Sequence, residues 1–273
     1  MPGYDDDLRL AHVLADAVER TALELFGSLD LEVQVGPDGA LTTSAATRLE
    51  ELLRHQLQRT RPRDRVEGRT LEATGHGDRR WVLDPIDGTA NYVRGVPVWA
   101  TLISLVIEDQ PVLGLVAAPT LNRRWWAGVG SGTWTGRNLT RARRVGVSQT
   151  SVLEHASLSA DDVAAWVHGP HGDGFRDLTD RVWRTRAYGE FWSHTLVAEG
   201  AVDAGLGAWG DPVQMATLAP LVREAGGQVT DPSGADAARP LGVRAGGHPV
   251  ISSNGRLHDQ LLGVLAPGEG PQG

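Results

Sequence analysis

Between Trp99 and Thr120 the chain reads WATLISLVIEDQPVLGLVAAPT. Two apolar runs are separated only by the acidic stretch Glu108–Pro111. The pattern predicts two strands joined as a hairpin. It constrains the fold more than any other feature, because strands this apolar must be covered by other elements. RRWWAGVGSGTWTG follows, with Trp and Gly alternating, and reads as further strand and turn. Ahead of the hairpin, residues 5–26 carry Leu8, Val13, Ala17, Leu23 and Leu25 at helical spacing. TTSAATRLEELLRHQLQRT reads as a second helix, capped by Thr43 or Ser44, and RWVLD as a short buried strand. Beyond SVLEHASLS, strands alternate with helices at 192–200 and 214–225, the latter stopped by Gly226-Gly227. The expected fold class is α/β. A helix-covered antiparallel sheet occupies 1–148, a smaller α/β half occupies 149–265, and 266–273 form a disordered tail.

Composition removes several chemistries. A net charge of −8 argues against a general nucleic-acid backbone binder. No apolar run reaches membrane-spanning length, and the acidic start MPGYDDDLRL lacks a signal-peptide pattern, so a cytoplasmic location is expected. There is no cysteine, hence no disulfide, thiolate metal site or thiol nucleophile. All 26 basic residues are arginine, which excludes a lysine base or Schiff base. An anion site here must use arginine, histidine or backbone N–H groups.

The chemistry gathers in WVLDPIDGTANYVRG, residues 81–95. Asp84 and Asp87 stand at a strand end, and two acids so close call for a positive partner, a metal ion being the first candidate. The chain then enters a helix or turn, so the N–H groups of Gly88, Thr89 and Ala90 point outwards and can receive an anion. Gly88 allows close backbone approach and Thr89 adds a hydroxyl. Trp125 and Trp126 point to opposite faces of their strand, so at most one reaches a pocket.

DPIDGTANY, PLVREAGGQVTD, RGVPVWATLISLV and RRWWAG together resemble the inositol monophosphatase family, and its actinobacterial histidinol-phosphatase branch most. The resemblance covers nearly the whole chain. It implies a layered α/β sandwich, a dimer, and hydrolysis of phosphate monoesters with magnesium, a hard cation held by oxygen ligands. Carried over, the ligands are Asp84, the Ile86 carbonyl and Asp87, with Thr89 beside the water. RTRAYGEFWSHTLVAEG matches the segment lining the family's substrate pocket, making Arg184, Arg186, Tyr188, Glu190 and His194 candidates for ligand contact.

Other positions depart from the family pattern. Gly68 aligns with the family's G-E-E loop, but Arg69 and Thr70 replace its glutamates; Ala46 stands for an aspartate, Gly36 for a lysine, and Val213-Gln214 for a Trp-Asp pair. Asp211, Glu67 and, less readily, Glu72 are the acids that could be recruited instead. With Arg69 set against Asp84 and Asp87, the sequence favours a site without magnesium. The reading that follows is a repurposed protein, catalysing or supporting non-hydrolytic group transfer or elimination in specialised metabolism, alone or with a partner subunit. It binds a phosphorylated or sulfated small molecule, such as a 3′-phosphoadenosine nucleotide. Asp84, Asp87, Thr89 and Arg69 are its catalytic candidates. Gly88, Thr89, Ala90, Arg184, Arg186, Glu190, His194, Asp211 and Gln214 are its ligand-binding candidates. Two alternatives stand beside it: a non-catalytic structural or regulatory subunit, and a divergent magnesium phosphatase acting on an ester such as histidinol phosphate.

Overall fold

The computed structural model describes residues 3–36, 39–238 and 248–266; all of the expected tail but Ala266 lies outside them. The first part of the chain runs α1 (Asp5–Leu25), β1 (Val33–Val35), β2 (Leu41–Thr43), α2 (Ser44–Thr60), β3 (Arg65–Gly68), β4 (Arg79–Asp87) and α3 (Thr89–Val93). Strands β5 (Ala100–Ile107), β6 (Gln110–Ala118), β7 (Arg123–Gly128), β8 (Gly132–Gly136) and β9 (Ala142–Val145) follow. β3 to β9 form one seven-stranded sheet in sequence order. It is antiparallel except for the β3–β4 pair.

The hairpin between β5 and β6 is tighter than the sequence suggested. Only Glu108 and Asp109 form the turn, and both have positive φ (49° and 62°), the arrangement whose twist matches the flanking strands. Helix α1 starts on three aspartates, which suit the positive end of its dipole. Its buried stripe is Leu10, Leu14, Val18 and Ala22 rather than the expected set, since Val13 and Leu23 are exposed. α2 is capped by Thr43, whose side chain accepts from the Ala46 N–H at 3.1 Å. These two helices cover one face of the sheet, with Leu49, Leu53 and Leu57 of α2 in the same core as Trp126 of β7.

The second part runs β10 (Ser157–Ala160), α4 (Val163–His168), α5 (Gly172–Arg181), β11 (Arg184–Arg186), α6 (Glu190–Ala198) and β12 (Ala204–Gly210). It continues with α7 (Pro212–Glu224), β13 (Gln228–Thr230), β14 (His248–Ser253) and α8 (His258–Leu265). Its five strands are ordered β11-β10-β12-β14-β13, with β10 parallel to both neighbours. α6 and α7 lie between the two sheets, packing Met215, Leu218 and Leu221 against Leu102, Val116 and Trp125. Contact is close enough that a Cβ at Gly114 of β6 would stand 2.2 Å from the Thr217 carbonyl. α4, α5 and α8 cover the far face through Trp166, Phe175, Leu178 and Leu261. Five layers result, alternating helix and sheet. Both tryptophans of RRWWAG are spent on the core, Trp126 towards α1 and Trp125 towards α7, so neither lines a cleft.

Candidate active site

Strand β4 runs on to Asp87 instead of stopping at Asp84. Its register against β5 shifts between Asp84 and Asp87. Pro85 lies at the irregularity, where a residue without an N–H is tolerated. Strict alternation would put residues three apart on opposite faces; the bulge brings both carboxylates to one place. Both are buried, at 3% and 4% exposure. Gly88 then turns the chain with φ 80° and ψ 40°, where a Cβ would meet the Val98 carbonyl at 2.9 Å. The Thr89 hydroxyl donates to the Ile86 carbonyl at 2.9 Å.

Arg69 follows β3 on a segment held by a buried ion pair. Glu50, wholly buried in α2, accepts from Arg54 Nε (2.8 Å), the Thr70 N–H (2.8 Å), the Thr70 hydroxyl (2.7 Å) and the Leu71 N–H (3.3 Å). Gly68 must be glycine for this approach, since a Cβ there would lie 2.0 Å from Glu50 Oε1. So placed, Arg69 donates from Nε to Asp84 Oδ2 (3.0 Å) and from Nη1 to Asp211 Oδ2 (2.8 Å). Asp211 is the N-cap of α7, its other oxygen accepting from the Val213 and Gln214 N–H groups. Arg69 therefore spans Asp84 and Asp211, not Asp84 and Asp87 as the sequence suggested. Asp87 is held instead by Gln214 Nε2 (2.7 Å) and the Phe191 N–H (2.9 Å).

The charges do not balance. Burial raises the Asp84 carboxyl above its ordinary range against the pull of Arg69. Burial, then the charges of Glu190 and Asp84, push Asp87 well above it. Glu190 is raised to about 7 by burial and then by Asp161 and Asp84. Asp161, which the sequence reading overlooked, is raised to about 6, mainly by burial. Arg69 is held firmly charged, chiefly by Asp84. The signal for Asp161 was present: SLSADD, like WVLDPID, ends a short buried strand on paired acids.

The other candidates separate from this cluster. His194 is buried, its Nδ1 2.9 Å from the Ser252 hydroxyl, and burial lowers its pKa to about 4. Arg184 donates to the Tyr188 hydroxyl (3.0 Å) and lies over the Trp183 ring, while Arg186 is exposed and bonds the Thr185 carbonyl. Glu67 is paired with Arg65 and Arg80, so it is not recruited, and Glu72 is exposed. Ala46 is a buried residue of the first turn of α2, and Ala90 is exposed on α3.

Among the described residues, no three Asp, Glu or His side chains converge as a ready-made metal cluster. The donors that remain are Asp84, Asp87 and the Ile86 carbonyl, all hard oxygens. Magnesium commonly takes one or two carboxylates and keeps several waters. Asp87 lies against Glu190 and Asp84, and their like charges add to the effect of burial on its carboxyl, a repulsion that a cation would offset. The residues thus fit one magnesium ion.

A model of the inositol monophosphatase family matches residues 8–266. The chain is 51% identical to a Streptomyces coelicolor protein named histidinol-phosphatase, over 97% of this chain and 98% of that one. A Mycobacterium tuberculosis protein of the same name is 43% identical, over 96% and 99%. The fold matches an IMPase of Thermotoga maritima with a TM-score of 0.82 and 27% identity, over 95% of this chain and 96% of that one. Likeness of this extent to phosphatases overturns the expectation of a non-hydrolytic protein for group transfer, and with it the sulfate ligand and the absence of a magnesium cofactor. The physical reason lies in the charge count. Besides Asp84 and Asp87, the folded site brings in Asp161, Glu190 and Asp211, so the single guanidinium of Arg69 does not neutralise it. The chain belongs to the inositol monophosphatase family.

Proposed function

We propose that this protein is a magnesium-dependent phosphate monoesterase acting on a small phosphorylated amine of the histidinol phosphate kind. One observation carries this reading: the 51% identity, across almost the full length of both chains, to a protein named histidinol-phosphatase. Asp84, Asp87 and the Ile86 carbonyl would hold the ion. When bound, it would neutralise phosphate charge and make a water more acidic. The N–H groups of Gly88, Thr89 and Ala90 would receive phosphoryl oxygens. The Thr89 hydroxyl spends its proton on Ile86, so its oxygen remains an acceptor able to orient a water. Glu190, close to Asp87, and Asp161, close to Glu190, would hold a substrate ammonium. A dimer, implied by the family, would be read by light scattering.

Phosphate release from histidinol phosphate and from an inositol monophosphate, each with magnesium or with EDTA, tests the activity. Release that needs magnesium, favours the amine and is lost in Asp84→Asn supports it. No release from either ester, in fresh folded protein with magnesium, refutes it.

A further inference from the structure

Arg69 is the one arginine paired with the carboxylate cluster among the described residues. A guanidinium carries five N–H donors. Nε–H serves Asp84 and one Nη1–H serves Asp211, which leaves the second Nη1–H and both Nη2–H without a partner among the described residues. The Arg69 side chain is 38% exposed where Asp84 is 3%. The Arg69 side chain therefore reaches solvent beside the buried Asp84. The segment behind it is fixed by Glu50 on the Thr70 and Leu71 N–H groups, so the guanidinium is held in place before any ligand arrives. On the oxygen side, Asp211 is committed to Arg69 and to the start of α7. That leaves one cation position, at Asp84, Asp87 and the Ile86 carbonyl.

We propose that Arg69 binds the substrate's phosphoryl group through these free N–H donors and supplies the site's second positive charge, so that the protein works with a single magnesium ion per chain. This role rests on the phosphatase reading above. A guanidinium suits it, because its planar fork matches two phosphate oxygens at once. Arg69 alone is not enough: with Asp84, Asp87 and Glu190 nearby, a phosphate dianion is repelled until the cation is also present.

The test uses inorganic phosphate as the probe and isothermal titration calorimetry as the readout, on the full chain. Wild-type protein is expected to take up one magnesium per chain and to bind phosphate only when magnesium is present. Arg69→Gln should weaken phosphate binding roughly 10- to 100-fold with magnesium saturating, the range of a lost charge-assisted contact. Arg69→Lys, which keeps the charge without the fork, should fall between the two. Melting curves check that both variants fold, and the wild-type stoichiometry stands whether or not they do. Uptake of two or more magnesium ions by the wild type overturns the proposal. So does phosphate affinity in Arg69→Gln equal to wild type. Failure of the wild type to hydrolyse any ester while phosphate still binds through Arg69 would sink the phosphatase reading instead.

Discussion

Truncating Glu50 to alanine should be among the most damaging single changes in this protein, though Glu50 touches no carboxylate of the site. Its side chain is fully buried and carries the whole charge partnership of Arg54, itself only 6% exposed. The change leaves a buried guanidinium uncompensated, which costs about 3–5 kcal/mol. It also strips acceptors from the Thr70 and Leu71 N–H groups. For a chain of 273 residues, the usual unfolding entropy of about 2.1 cal/mol/K per residue gives about 0.6 kcal/mol per degree. Calorimetry should therefore show the melting temperature falling by about 5–9 °C. The segment bearing Arg69 should loosen as well. Glu50→Leu combined with Arg54→Leu removes both charges and should recover part of the loss. A drop below about 2 °C for Glu50→Ala, or a double variant as poor as two independent losses, would refute the reasoning that a stranded charge is what matters.

Three further outcomes follow from the geometry. Gly88→Ala adds a Cβ 2.9 Å from the Val98 carbonyl at a φ of 80°, so it should cost at least about 1–2 kcal/mol and lower magnesium-dependent phosphate release; an unchanged melting temperature would count against the strain. Glu108→Asn places a residue tolerant of positive φ in the hairpin turn and should raise stability by roughly 0.5–1 kcal/mol in urea unfolding, a loss being the contrary result. His12 is buried against the Trp126 edge, and burial, then Arg124, lower its pKa to about 4. Because the unfolded histidine takes its proton first, near 6.5, stability from neutral His12 is present above 6.5 and is lost as pH falls towards 4, by up to about 3 kcal/mol. Asp161 acts in the opposite direction: its raised pKa favours the fold at low pH, an advantage that fades as pH rises towards 6. Urea midpoints at both pH values should show His12→Gln with a shallower acid loss than wild type.

The layered fold was legible because its determinants are local. The 99–120 hairpin, the Thr43 cap and the Gly226-Gly227 stop each act within a few residues. Two errors have local causes as well. The stripe of α1 differs from the expected one because the helix is turned: Leu10, Leu14 and Val18 are buried with Ala11, Ala15 and Ala22, while Val13 and Leu23 are exposed. α7 was started too late because Asp211-Pro212, a capping residue before a proline suited to the first turn, went unread. The site resisted because its partners are remote in sequence. Arg69 meets an acid 142 positions away, and Asp87 is held from 104 and 127 positions away. Only the folded chain shows that Asp161 and Glu190 share the cleft.

That crowding sets what the cleft can accept. At an effective dielectric near 20, two unit charges about 6 Å apart interact by about 3 kcal/mol, twice that for a dianion. Arg69 is paired with Asp84 and Asp211, while Asp87 lies against Glu190 and Glu190 against Asp161, so a bare phosphate is disfavoured. Two things lessen that repulsion. A divalent ion on Asp84 and Asp87 would offset their two charges and leave Arg69 to meet the phosphate, while Glu190 and Asp161 add acidic groups close by. A ligand with phosphate at one end and an ammonium at the other matches both; a phosphorylated polyol meets only the first. That layout would favour an amine ester, the substrate class proposed above.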